Sequence, residues 1–322
     1  MEEKIVKILN EMSEYLSIAQ MKKLQEVILK VCSENEADKV QISNHDFLEM
    51  FLDAKKIEGC SERTLQYYRV TVAHLLSQTE NSVRKVTTEE IRAYLAEYQK
   101  NSSCSNVTID NIRRNISSFF SWLEEEDYIL KSPMRRIHKI KTKTVVKSTI
   151  SDEGIERLRD NCSEIRDLAI IDLLYSTGIR VGELVNLNID DIDLEGRECI
   201  VYGKGDKERR VYFDAKAKVH LKEYIEGRED SNEALFVTLD APLDRLKISG
   251  VEIRLRQLGR RLELEKIHPH KFRRTMATRA IDKGMPIEQL QQLLGHRKID
   301  TTLQYAMVKQ SNVKIAHRKY IG

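Results

Sequence analysis

Five short stretches in the second half of the chain hold polar residues whose types and spacing could break a phosphodiester without a metal. They are Thr177-Gly-Ile-Arg180-Val-Gly-Glu183-Leu184, the turn Gly203-Lys204-Gly205, Pro269-His270-Lys-Phe-Arg273, Leu294-Gly295-His296 and Asp300-Thr-Thr-Leu-Gln-Tyr305. The transition state of such a cleavage spreads negative charge over the non-bridging oxygens. Two guanidinium groups can clamp that charge with paired N–H donors, and Arg180 and Arg273 are the candidates. His270 and Arg273 stand three residues apart, so a helix puts them on one face. The nucleophile must form a reversible phosphate ester. Tyr305 can, but a phenol with a pKa of about 10 needs a nearby base or a cationic field. A lysine at a flexible hairpin tip, Lys204, can protonate the departing oxygen, with Lys207 a rival in the same turn.

Each of these residues also has an ordinary use. Arg180 could pair with Glu183 on the surface, and Lys204 could be a plain turn lysine. His270 could sit at a helix start, His296 at a helix end, and Tyr305 in a half-buried core position. Their order along the chain, Arg, Lys, His-x-x-Arg, Gly-His, Tyr, is what sets them apart from scattered surface residues.

The elements that position them can be read in outline. A helix is predicted from about Ile165 to Ser176, stopped by Gly178, with another starting near Val181. Cys199–Tyr202 and Arg209–Phe213 read as strands of a hairpin around the turn 203–207. Helices are predicted over Ile253–Leu262, Pro269–Lys283, Pro286–Leu294 and Thr301–Val308, with Pro269 and Pro286 at starts and Gly284 and Gly295 at stops. Upstream, four apolar stripes predict a small helical bundle. They run through Phe47–Leu52, Leu65–Leu76 (capped by Ser61), Ile91–Tyr98 (opened by a Thr87/Glu90 capping box) and Ile109–Leu123. One or two further amphipathic helices are expected before residue 38, packed as core. From Lys131 to Ser148 the apolar period is lost, which suggests an extended linker.

The chain has 322 residues, enough for two domains, and a net charge of only +3. That balance is uneven. Between Tyr128 and Ser151 there are seven Lys or Arg and no acid, and between Val251 and Ala280 nine basic residues face three acids. The first 38 residues are acidic on balance, which argues against DNA contact there. Basic blocks on a near-neutral chain point to a polyanion held at particular places. Arg135, Arg136, Lys139, Lys141 and Lys143, with Lys207 and Arg274, are the candidate DNA contacts. The five cysteines are scattered and form no CxxC, so neither a disulfide framework nor a zinc cluster is expected. His268, His270 and His296 lack the Cys or carboxylate partners of a metal site. No signal peptide and no membrane span is read in the chain, so a cytoplasmic protein is expected.

The motifs together resemble the tyrosine recombinase or phage integrase family, including its Xer-like members. Thr177–Leu184 is similar to the family's first arginine motif, Gly203–Arg209 to its hairpin lysine motif, His270–Arg273 to its His-x-x-Arg box, and Leu293–His296 with Thr301–Tyr305 to its final box. The resemblance implies a mainly α fold with a small β-sheet. It would comprise an N-terminal extension (1–40), a core-type DNA-binding helical domain (41–140), a basic linker (141–148) and a mixed α/β catalytic domain of the DNA breaking-rejoining type (149–322). It implies that Arg180 and Arg273 bind the scissile phosphate and that Lys204 protonates the leaving 5′-oxygen. His270 would assist proton transfer, His296 would hydrogen-bond the phosphate, and Tyr305 would form a 3′-phosphotyrosyl link. Glu183 matches a supporting acidic position, and Arg274 departs from a histidine common in the family. The implied partner is double-stranded DNA with a specific core site, bound by a homotetramer during recombination, with no cofactor, metal or ATP. A type IB topoisomerase and a non-catalytic DNA-binding regulator are the competing expectations.

Overall fold

The computed structural model describes residues 2–37, 42–79, 81–142, 148–203, 207–305, 317–318 and 321. The chain divides into two units, Met1–Thr144 and Val145–Gly322. The first holds α1 (Glu2–Met12), α2 (Ile18–Ala37), α3 (Asn44–Ile57), α4 (Glu62–Ser77), α5 (Thr88–Ser102) and α6 (Asn106–Glu125). Hydroxyl caps fix where four of these begin. Ser43 caps α3 in a box with Asp46, Ser61 caps α4, the Thr87/Glu90 box opens α5, and Ser105 caps α6. The apolar stripes of α3 to α6 meet in one core built around aromatic edges. Phe51 meets Phe119 at 5.3 Å between centroids, and Phe47 meets Tyr128 at 5.0 Å.

Two expectations for this unit are corrected. The described apolar side chains of α1 and α2 are not core: Val6, Ile8, Met12 and Val27 are exposed, and Ile18 is 90 % exposed. An apolar period alone does not say what, if anything, covers it. The basic segment after Lys131 is also not extended from its start. Pro133–Arg136 forms a 3₁₀ turn, Met134 is buried, and Ile137 and Ile140 pack on the core. Thr88 donates to the Pro133 carbonyl at 2.7 Å, and Ile140 N–H donates to the buried Asp110 carboxylate at 3.0 Å. Single apolar residues between the charges dock this strip where periodicity shows nothing.

The second unit holds α7 (Asp152–Asp160), α8 (Ile165–Thr177), α9 (Val181–Asn186), β1 (Ile192–Asp193), β2 (Glu198–Gly203), β3 (Lys207–Tyr212), α10 (Ala215–Glu226), α11 (Ile248–Arg261), α12 (Pro269–Asp282), α13 (Ile287–Leu294) and α14 (Ile299–Leu303). The strands form one antiparallel sheet in the order β1-β2-β3, with Val201 opposite Arg209 and Cys199 opposite Val211. The apolar run of α8 is buried almost throughout, and the inward residues Cys199, Val201 and Val211 close one side of the same core. A second small core of Met276, Ala277, Leu290 and Leu294 ties α12 to α13, and Tyr305 packs at its edge. The fold is therefore mainly α with one small sheet, as expected. Among the described residues no helix is long and apolar enough to cross a membrane.

Candidate active site

The turn out of α8 sets the first arginine. Gly178 closes that helix at φ +63°, and a Cβ there would lie 2.2 Å from the Met276 methyl. The chain then re-enters a helix with Arg180 at its N-cap. Glu183, in the first turn of α9, accepts the Arg180 backbone N–H at 2.8 Å and Arg180 Nη1 at 2.8 Å. The pairing with Glu183 considered from the sequence thus exists. It uses only one arm, however: Arg180 Nη2 reaches the Gly295 carbonyl at 3.4 Å, and the side chain stays 43 % exposed.

Arg209 on β3 was not among the sequence candidates. It grips Glu183 with both arms, Nη1 at 2.8 Å and Nη2 at 2.7 Å, and donates from Nε to the Leu293 carbonyl at 3.1 Å. Burial would raise the Glu183 pKa, but Arg209 and Arg180 together hold it below the usual carboxylate range. A signal for Arg209 was present. Residues opposite each other on a ladder share a face, so Arg209 shares the inward face of Val201, in an alternation with Val211 and Phe213. A cation at an inward strand position requires a buried partner.

Arg273, on the first turns of α12, is 1 % exposed. It donates to the Gly178 carbonyl and the Leu294 carbonyl, each at 2.6 Å, and meets His296 Nε2 at 2.9 Å. Burial first, then the like charge of Arg180, pushes its pKa down to about 10, so it remains a cation at neutral pH. Because guanidinium only donates, His296 Nε2 must accept. Its proton then sits on Nδ1 and goes to Thr302 Oγ1 at 2.8 Å. Burial, followed by Arg273, Arg180, Arg209 and lastly His270, pushes His296 down to about 4. Both ring nitrogens are engaged, so this imidazole is a neutral acceptor toward Arg273. The Tyr305 ring stacks on His296 at 6.0 Å and 23°, half-buried against the α12–α13 core.

Three arginines from three elements thus donate to successive carbonyls, Leu293, Leu294 and Gly295, at the C-terminal end of α13. Those carbonyls lack intrahelical partners and carry the negative end of the helix dipole. The structure therefore brings Arg180, Arg273, His296 and Tyr305 together. His270 is exposed at the start of α12, near enough to weigh on His296. Lys204 lies outside the described residues, and Lys207 is placed only as a strand residue opposite Gly203. Arg274 donates to the Ser148 carbonyl at 2.8 Å. In the first unit Arg135 pairs with Glu124 at 2.6 Å, Arg136, Lys139 and Lys141 are exposed, and Lys143 lies outside the described residues. Among the described residues no group of three or more His, Cys, Asp or Glu could hold a metal ion.

Comparison with known proteins falls on the same segments. Residues 148–312 match the phage integrase family, and residues 47–130 match the phage integrase N-terminal SAM-like domain. A tyrosine recombinase XerC of Oceanobacillus iheyensis is 32 % identical over 290 residues, covering 85 % of this chain and 95 % of its own. One from Thermodesulfovibrio yellowstonii is 33 % identical over 276 residues, covering 81 % and 91 %. In fold, the chain is similar to the Tn1549 transposon integrase in complex with transposon right end DNA, with a TM-score of 0.72 and 19 % identity over 86 % of this chain and 99 % of that one.

Proposed function

Because the chain belongs to the phage integrase family, we propose that the cluster around Arg273 is the phosphate site of a site-specific tyrosine recombinase. The observation that carries this is charge. Arg180 and Arg209 share one buried carboxylate, Glu183, and among the described residues the buried Arg273 hydrogen-bonds neutral partners, the Gly178 and Leu294 carbonyls and His296. Such a cluster suits an anion that arrives from outside.

In the proposed mechanism Arg273 and Arg180 bind the non-bridging oxygens of the scissile phosphate and stabilise the charge that builds there. The Tyr305 phenolate oxygen attacks phosphorus, its proton leaving with help from His270. The bond to the 5′-oxygen breaks and Lys204 protonates that oxygen. The product is a 3′-phosphotyrosyl link and a free 5′-hydroxyl, and a 5′-hydroxyl from the partner strand reverses the reaction. The bond energy stays in the ester, so rejoining needs no ATP, and the arginines supply the positive charge that a metal would otherwise supply. His296 joins the phosphate once Arg273 has turned toward it: the ring proton then moves from Nδ1 to the released Nε2, which donates to a phosphate oxygen, while the Thr302 hydroxyl turns to donate to Nδ1. Residues 41–140 serve as the core-type DNA-binding domain and 141–148 as the basic link to the catalytic domain. Four protomers on two duplexes carry out the exchange, in the cytoplasm.

The test starts from duplexes selected out of random sequence by the full-length protein. With a nick placed beside the cleavage point, the wild type accumulates a covalent adduct. Tyr305→Phe binds the same duplex and forms none. An adduct on the Phe variant would move the nucleophile to Tyr202 or Tyr320. Binding without any adduct in the wild type would favour a non-catalytic regulator.

A further inference from the structure

Arg209 places all three of its structure-recorded donor bonds inside the protein, and its side chain is 13 % exposed against 43 % for Arg180. It has little surface left to offer a ligand. Its partner Glu183 is buried, 4 % exposed at the side chain, and two cations share it. The bidentate grip belongs to Arg209, while Arg180 gives one arm of its guanidinium.

That division matters because a buried carboxylate demands compensation. With Arg209 removed, Arg180 is the remaining cation on Glu183, and its second arm is drawn from the Gly295 carbonyl to Glu183 Oε2, which then keeps the Arg180 backbone N–H and has lost the Arg209 Nη2 donor. A guanidinium closed on a carboxylate has its charge cancelled and its fork occupied, so it is a poor ligand for phosphate. Arg209 is also built into the end of α13. A Cβ on Gly295 would lie 3.0 Å from Arg209 Cδ and 3.2 Å from Nε and Nη1, so the bare glycine gives the guanidinium its place. Nε then holds the Leu293 carbonyl, three residues before His296.

We propose that Arg209 is a positioning residue of the phosphate clamp: it takes over the charge of Glu183 so that Arg180 remains available to the scissile phosphate, and it fixes the helix end that leads to His296. The inference rests on the reading of this cluster as a phosphate site. It gives the stretch from β2 to β3 two roles in one reaction, since Lys204 lies between the two strands in sequence.

The experiment measures single-turnover adduct formation by full-length protein on the nicked, selected duplex. Arg209→Met slows cleavage by about 10- to 100-fold, the scale seen when the outer partners of metal ligands are removed, while duplex affinity stays near wild type and the melting temperature falls because a buried ion pair is broken. Arg209→Lys, which keeps the charge and loses the fork, falls between. The double variant Arg209→Met/Glu183→Gln cleaves faster than Arg209→Met alone, because the carboxylate that captured Arg180 is gone. On a duplex with a neutral methylphosphonate at the scissile position the gap between wild type and Arg209→Met shrinks several-fold. A purely structural defect slows both substrates alike.

Should Arg209→Met fail to fold, Arg209→Lys and the double variant make the same comparisons. Cleavage by Arg209→Met at the wild-type rate, an undiminished gap on methylphosphonate, or a double variant no faster than the single one would each overturn the proposal. A wild type that forms no adduct on any selected duplex overturns instead the recombinase reading beneath it.

Discussion

His296 shows how far a single residue can be read from its type. The sequence marks it as a candidate beside Tyr305, but its protonation state depends on Arg273 and Thr302, 23 residues before it and six after. Arg209 was hidden for the same reason: Glu183 lies 26 residues away, and only strand alternation hints at an inward cation. With burial and three arginines holding His296 at about 4, against about 6.5 for a free histidine, the unfolded chain binds a proton that the folded site refuses between these values. The stability this group contributes is complete above the unfolded value and is lost as pH falls toward 4. His296→Gln is therefore expected to lose less stability than wild type between pH 7 and pH 4.5 in urea titrations. Equal losses would mean that His296 titrates normally. Lys204 is tested by its leaving group. Lys204→Ala should slow cleavage by about 10² to 10⁴, and a bridging 5′-sulfur, which leaves without a proton, should restore most of that rate. Rescue of Lys207→Ala instead would reverse the assignment within the hairpin.

Among the elements, the turn from α8 into α9 gives the most direct test of how the fold sets the site. Gly178→Ala must place an L-residue at φ +63° and push its Cβ into Met276. The backbone alone costs about 1 to 2 kcal/mol. The melting temperature is expected to drop and cleavage to fall further than stability explains, since Arg273 bonds the Gly178 carbonyl; an unchanged melting temperature would show that the turn relaxes freely. Gly178 was legible because a glycine after an apolar run is a helix stop, and the Thr87/Glu90 box and the Ser61 cap were legible for equally local reasons. What failed was non-local. The helix α10 alternates lysines with few apolar residues, Ala217, Leu221 and Tyr224 being its buried set, and α7 spans nine residues with Ile155 and Leu158 buried. Neither α7 nor α10 was predicted, because each is held mainly by the surface it packs on. The stripes of α1 and α2 failed the other way, their described residues being regular in period yet exposed or only half-buried.

Across the whole molecule the informative quantity is the distribution of charge rather than its sum. A net +3 gives no hint of a DNA enzyme, but the three arginines gathered at the end of α13 and the basic strip before residue 142 do. The strip was legible as charge and misread as structure, because its docking residues, Met134, Ile137 and Ile140, are too few to show a period. If the enzyme recombines rather than relaxes DNA, Tyr305→Phe with selected duplex should assemble into particles of four protomers and two duplexes by mass photometry, whereas a topoisomerase of the same chemistry would stay at one protomer per duplex. The docked strip also makes its basic residues unequal. Arg135 is already paired with Glu124 at 2.6 Å, whereas Lys139 and Lys141 stand exposed on a backbone fixed by the Asp110–Ile140 bond. Each phosphate that a lysine neutralises releases condensed counterions and adds about 0.9 to the slope of log affinity against log salt. Lys139→Ala and Lys141→Ala should therefore each lower that slope by about 0.9 on the selected duplex and on random DNA alike. Arg135→Ala should change it less, since its guanidinium is already engaged by Glu124 and so neutralises less phosphate charge than a bare lysine. Affinity is read by fluorescence anisotropy over a salt series. Slopes unchanged by the lysine substitutions would remove this strip from the DNA interface and leave Arg136, Lys143 and Lys207 as the basic positions to test next.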